Sequence, residues 1–202
     1  MYKAQPAFVL GFHGCEEQVG LDAIQGNHLA PSVNPWDWLG NGMYFWEGSP
    51  QRAEEWAVSV KKATPFVLGA IIDLGRCLNL ADMATVDELK RAHAWLKDMT
   101  EAAGGTLPTN RDRKKDEDGD LVIRELDAAV FTALHLLREN NGLERYQTVR
   151  GPFLEGKPIY DGAGIREKSH IQIAVLDPAC VKGYFKPFKI ELASQQVVAE
   201  RS

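Results

Sequence analysis

Cysteine is scarce in this 202-residue chain, and so is any excess of positive charge. The three cysteines, Cys15, Cys77 and Cys180, are odd in number and far apart, with no Cys-x-x-Cys pair. That pattern argues against a disulfide framework or a cysteine-ligated zinc site and reads as free thiols in a reducing compartment. Lys and Arg number 23 against 28 Asp and Glu, a formal net charge of −5, so no bulk attraction to phosphate backbones is expected. A local basic patch is still compatible with that balance. No apolar run approaches membrane-spanning length, and the apolar core of "MYKAQPAFVLGFHG" is too short for a secretory signal. The expected setting is cytoplasmic, with no membrane contact. No internal repeat is evident.

What the chain does have is a composition of 45% hydrophobic and 25% charged residues, suited to one domain with its own core. Its aromatics are unevenly spread. Between Val33 and Ala57 the stretch "VNPWDWLGNGMYFWEGSPQRAEEWA" gathers Trp36, Trp38, Tyr44, Phe45, Trp46 and Trp56 around a Gly-x-Gly turn. A lone strand or helix could not bury them all.

Elements are legible on both sides of this stretch. "FVLGF", Phe8 to Phe12, reads as a buried strand ending at His13 and Gly14, and "EEQVGLDAIQGN" as a short helix stopped by Gly26. Ser49 as N-cap and Pro50 at the first helical position start a helix expected to run to about Lys62. "PFVLGAIIDLGRCLNL" is a core strand with a turn near Gly75. Thr85 to Glu88 has the capping-box spacing, and Val86, Leu89, Leu96 and Met99 then recur at helical spacing to about Ala103. Gly104 to Asp120 is charge-dense and without period, an exposed loop in expectation; its "RDRKK", Arg111 to Lys115, is compensated at once by "DEDGD". A second helix is expected from about Ile123 to Asn140, with His135 as a packing or surface residue. Strand-like runs separated by Gly/Pro-marked loops fill the last third. The class is α+β.

Three separated pieces carry chemistry: "GFHGC", then "LGNGMYFWE" with its helix, then "SHIQIAVLDP". In this order they resemble the ADP-ribosyltransferases of the diphtheria-toxin and poly(ADP-ribose)-polymerase branch, whose signature is His, Tyr, Glu. "VLGAIIDLGRCLNL" is similar to that family's next core strand. The likeness covers roughly half of the chain and leaves about 81–144 as a helical, charged insertion in a single domain, 1–202. It implies a split β-sandwich core with flanking helices, and NAD as substrate with no metal.

The resemblance also implies roles. His13 would bond a ribose hydroxyl of NAD. Gly14 would offer its backbone to the nicotinamide carboxamide. Tyr44 and Trp56 would sandwich the nicotinamide ring, Trp56 standing about one residue beyond the family's usual tyrosine. The bland reading of Trp36, Trp38, Phe45 and Trp46 is a satellite core, and for Phe45 and Trp46 it is the better one. Gln172 takes the place of the catalytic glutamate, which supplies acceptor capacity without negative charge; losing such a term typically costs ~10²–10³ in rate. Glu155 and Glu167 lie upstream, and either could supply a carboxylate or be a solvated loop charge. His170, two residues before Gln172, is a further acceptor-side candidate; nothing argues for a nucleophilic Cys15.

These implications point to a mono-ADP-ribosyltransferase acting on an unknown acceptor, protein or nucleic acid, in a toxin or defence setting with a cognate antitoxin as a partner. The alternatives are a non-catalytic NAD or ADP-ribose binding module and an NAD glycohydrolase.

Overall fold

In the computed structural model, which describes residues 8–60, 63–112 and 121–188, the chain opens with strand β1 (Val9–Glu16) and helix α1 (Glu17–Ile24). Strand β2 (Met43–Glu47), helix α2 (Pro50–Val60), and strands β3 (Pro65–Ile72) and β4 (Cys77–Asn79) follow. The middle holds helix α3 (Met83–Ala102), the two-residue strands β5 (Asn110–Arg111) and β6 (Ile123–Arg124), and helix α4 (Glu125–Asn140). Strands β7 (Thr148–Phe153), β8 (His170–Val175) and β9 (Val181–Phe185) close the described chain. The α+β class holds.

Seven strands form one mixed sheet in the order β4-β7-β8-β2-β1-β3-β9, parallel only between β4 and β7. Strand β1 pairs with β3 along its whole length but with β2 at only two positions, Gly11–Glu47 and Phe12–Trp46. The sheet is therefore two well-paired halves joined by a short ladder.

Alternation sorts the side chains onto two faces. Phe45, Leu68, Ala70, Ile72, Ile173 and Val175 fill one face, a buried core that takes in Ala23 of α1 and Leu29. On the other face α2 lies over β1, where Phe12, Trp46 and Ala53 cluster, and α3 and α4 lie over β7 and β8 through Leu78, Ala92, Phe131, Leu134, Val149, Phe153 and Ala174. The central segment thus contributes a core of its own. Among the described residues no helix is long and apolar enough to cross a membrane.

Several boundaries differ from the sequence reading, each for a local reason. Strand β1 runs on to Glu16, because β3 pairs with it to the end; His13 lies inside the strand rather than at its tip. Helix α3 starts two residues before Thr85: Asp82 caps it, its Oδ1 accepting from Ala84 N at 2.9 Å, while Thr85 Oγ1 bonds back to the carbonyls of Asn79 and Asp82. Ile123 and Arg124 belong to β6, paired with Asn110 and Arg111, so α4 begins at Glu125 and the charged loop has a paired base. The rest of that loop, from Arg113 to Asp120, and the expected helix end at Lys61 and Lys62 lie outside the described residues.

Gly14 has no room for a side chain: an added Cβ would stand 2.3 Å from the Ala53 carbonyl oxygen, a backbone atom of α2. Gly14→Ala should therefore lower stability by about 2 kcal/mol or more, as overpacking does, whereas Gly183→Ala should change it by less than about 0.5 kcal/mol. No atom lies within 4 Å of an added Cβ at Gly183. Urea unfolding of the two variants checks the contrast.

His135 is packed in α4 at 3% exposure, and burial, then the Arg145 and Arg138 guanidiniums, press its pKa from 6.5 down to about 4. Between those two values the unfolded ring binds more protons than the folded one, so acid favours unfolding there. Unfolding free energy should fall as pH drops from 6.5 toward 4, and His135→Gln should flatten that slope. An equal slope in both proteins would assign the pH dependence to other groups.

Candidate functional site

The joint between the two half-sheets is where the site forms. Leu10 accepts from Gly48 N at 2.9 Å, so the even-numbered residues of β1 turn their peptide groups toward β2. Continuing the register beyond Phe12–Trp46 would make Gly14–Tyr44 the next rung. Instead the His13 imidazole takes the Tyr44 carbonyl, Nδ1 donating at 2.8 Å. A carbonyl can only accept, so Nδ1 carries the hydrogen and Nε2 of the neutral ring is an acceptor. The peptide N–H and C=O of Gly14 face this opened rung. The close approach that its missing side chain permits is to α2, behind the strand.

Above the joint lies a cleft of about 530 Å³ between α2 and the elements over β7 and β8. His13, Tyr44, Trp56 and Gln172 all line it, brought from three separated stretches. Helix α2 presents Arg52, Glu55 and Trp56 along one wall, because these fall on one helical face. Trp56 packs beside His13 at 6.4 Å and Trp46 at 6.1 Å between ring centroids. The floor is strand: Trp46 and Gln172 stand opposite each other in the ladder, and Gly151 continues the same row on β7.

Tyr44 is held by its hydroxyl, which accepts from Leu39 N at 3.0 Å and donates to the Gly40 carbonyl at 2.7 Å. Burial, then the Asp37 carboxylate, keep that hydroxyl protonated far above the ordinary tyrosine range. The ring thereby anchors the loop that carries Trp38. Trp38 is 7% exposed and donates its indole N–H to Gln172 Oε1 at 2.5 Å. An indole only donates, which fixes the amide: Oε1 faces Trp38 and the N–H groups turn away. One lone pair of the only acceptor atom on the Gln172 side chain is thus already used.

Glu155 also lines the cleft, held by Arg52 at 2.7 Å, while Arg52 pairs as well with Glu55 and Lys168 approaches Glu55 at 3.3 Å. Glu155 lies two residues beyond the end of β7, where its carbonyl accepts from Lys168 N at 3.0 Å, whereas Gln172 sits opposite Gly151 within the ladder. Glu167 is not among the residues lining it.

His170 stacks on Phe153 at 5.4 Å, donates from Nδ1 to the Lys168 carbonyl at 2.6 Å, and is held toward its neutral form mainly by burial. Among the described residues its Nε2 has no hydrogen-bond partner, nor do Trp46 Nε1 and Arg52 Nε. Phe45 is core, as the bland reading had it; Trp46 is buried at 6% exposure yet also lines the cleft, and Trp36 stands half-exposed at its rim.

No protein-family model matches the chain, and neither do curated proteins or solved structures. The cleft's chemistry has to be read from its own residues.

Sequence reasoning missed the Trp38–Gln172 bond, the Arg52–Glu155 pair and Lys168. Trp38 carried a signal, sitting six residues before Tyr44 among unburiable aromatics. The charged pair had none, since its members are 103 residues apart.

The two parts of Tyr44 separate experimentally. Tyr44→Phe removes the loop anchor but keeps the ring; it should cost about 1–3 kcal/mol of stability and leave NAD affinity within about threefold. Tyr44→Ala should weaken NAD binding by more than about tenfold, since stacking surface goes too. Calorimetric titration and thermal unfolding of both variants check this. Equal affinity in all three proteins, or no binding in any, would mean that this cleft does not take the NAD expected from the sequence.

Proposed function

We propose that this chain is a mono-ADP-ribosyltransferase with the fold of that family, using NAD as substrate. The observation that carries the reading is the convergence of His13, Tyr44, Trp56 and Gln172 on one cleft at the opened β1–β2 joint. The cleft volume falls in the range of small-molecule sites, and its wall offers the flat apolar faces that a nicotinamide ring needs.

In this reading the carboxamide of nicotinamide pairs with the Gly14 peptide groups, completing the missing rung. Tyr44 and Trp56 contact the ring, and His13 Nε2 accepts from a ribose hydroxyl. Nicotinamide leaves as a neutral molecule, its nitrogen taking the electron pair of the bond to the ribose carbon. Positive charge then develops on the sugar, the acceptor's electron pair forms the new bond to the ribose carbon, and the proton that the acceptor loses passes to solvent. Oε1 of Gln172 keeps one lone pair for the neighbouring hydroxyl. It supplies no negative charge, which disfavours chain elongation and fits a single transfer. Glu155, beyond the end of β7 and paired with Arg52, takes the acceptor side in this reading rather than the reacting carbon. A toxin or defence role with an antitoxin partner follows from the same family likeness, and the acceptor is a protein or a nucleic acid.

A second reading has one observation in its favour. Trp38 occupies part of the Gln172 carbonyl, which leaves little to stabilise a developing cation. That arrangement suits a module that binds NAD or ADP-ribose without cleaving it.

Incubation with cell lysate and NAD labelled on the adenylate side separates the two. Transfer predicts released nicotinamide together with label on a macromolecule that protease or nuclease then removes. Binding without nicotinamide release supports the module, and release without macromolecular label supports hydrolysis.

A further inference from the structure

Arg124, at the boundary between β6 and α4, belongs to the segment for which the family likeness offers no counterpart. Its guanidinium carbon lies 4.9 Å from the centre of the Trp38 ring and 4.3 Å from that of Phe153. Phe153 in turn meets Trp38 edge-on at 5.1 Å. Gly151 leaves the ring its place: an added Cβ there would come within 3.0 Å of Trp38 Cη2. Trp38 is thus bounded by a cation, an aromatic edge and a glycine, and its one polar atom is aimed at Gln172 Oε1, 2.5 Å away. Arg124 is itself steadied by the Leu121 carbonyl, which accepts from Nε at 3.0 Å, and by Asp127 at 3.6 Å.

We propose that Arg124 is a positioning residue for Gln172, acting through the Trp38 indole to hold the Gln172 amide in one orientation toward the cleft. The chemistry of the two groups requires a device of this kind. An amide can turn over about its terminal bond and exchange C=O for NH₂, and the two orientations are close in shape. Against a fixed indole N–H the turned amide sets donor on donor. With Trp38 immobile, one orientation survives. If the ring can swing, the amide turns freely, and a ligand hydroxyl meets acceptor and donor by turns. The inserted segment would by this route govern the residue at which the chain departs from its family's glutamate.

The activity part of the test rests on the transferase reading; the spectroscopic part does not. In the ¹⁵N-labelled full chain without ligand, the Trp38 indole resonance is assigned by its loss in Trp38→Phe. Arg124→Ala should shift it in the same direction as Gln172→Ala does, and Arg124→Lys, which keeps a cation over the ring, should leave it nearer the wild type. In nicotinamide release, Arg124→Ala should lower kcat by about tenfold while NAD affinity changes by less than about threefold. In a Gln172→Ala background the same change should add no further loss. Trp38→Phe keeps one aromatic ring over Phe153 and removes the donor together with the pyrrole half of the indole, so it should reproduce the kcat loss even where Arg124→Ala folds poorly. An indole resonance unmoved by Arg124→Ala, or a loss that adds fully to that of Gln172→Ala, would overturn the proposal. A chain that consumes no NAD would sink the transferase reading, and the indole resonance would then decide this one alone.

Discussion

An antiparallel ladder continues while both strands keep their peptide groups for each other, and in this chain it ends at Phe12–Trp46 because the His13 imidazole takes the Tyr44 carbonyl. Everything at the candidate site follows from that one substitution of a side chain for a backbone partner. The half-sheets part, Gly14 faces the gap with its peptide edge, and a cleft lined by Tyr44, Trp46 and Gln172 opens beside α2. Helix α2 can come close on one side only because Gly14 has no Cβ to meet the Ala53 carbonyl. A hydrogen bond, a glycine and a missing rung together set the width of the cleft.

The aromatics around this gap divide their work by depth. Phe45 is fully buried and belongs to the core; Tyr44 and Trp38 are largely buried and fasten the loop from Asp37 to Gly42; Trp56 lines the cleft and Trp36 stands at its rim. Trp38 packs its ring in the core that α3 and α4 close over the sheet, and from there its nitrogen reaches Gln172 in the cleft. Contact between a guanidinium and such a ring is worth ~0.5–2 kcal/mol, enough to favour one ring position over its neighbours. The central segment, though remote from the family likeness in sequence, is thereby tied mechanically to the centre of the site.

Much of this was legible in the residues. Long apolar strands such as "PFVLGAII" and the marked start at Pro50 declare themselves by local pattern, and His13, Tyr44 and Gln172 stood out because their order along the chain carries a family likeness. Local pattern failed where two local signals compete. Asp82 and Thr85 both suit a helix start, and only the fold decides between them. It failed also for pairs distant in sequence: Arg52 with Glu155, Trp38 with Gln172 and Arg124 with Trp38 are joined by topology, and no spacing rule reaches across so many residues. The packing need at Gly14 was equally silent in sequence: the helix that its missing Cβ admits stands nearly forty residues further on.

The central claim is that the opened rung between Gly14 and Tyr44 receives the nicotinamide end of NAD. Following the Gly14 backbone amide by ¹H–¹⁵N correlation during titration with NAD, and then with nicotinamide alone, tests it most directly. The account predicts that both ligands move this resonance, together with the indole signal of Trp56. Were the Gly14 amide to stay in place while shifts gather instead at Arg76, Arg145 and Tyr146, which line a separate cavity of about 430 Å³, the site would lie elsewhere and the account would be contradicted.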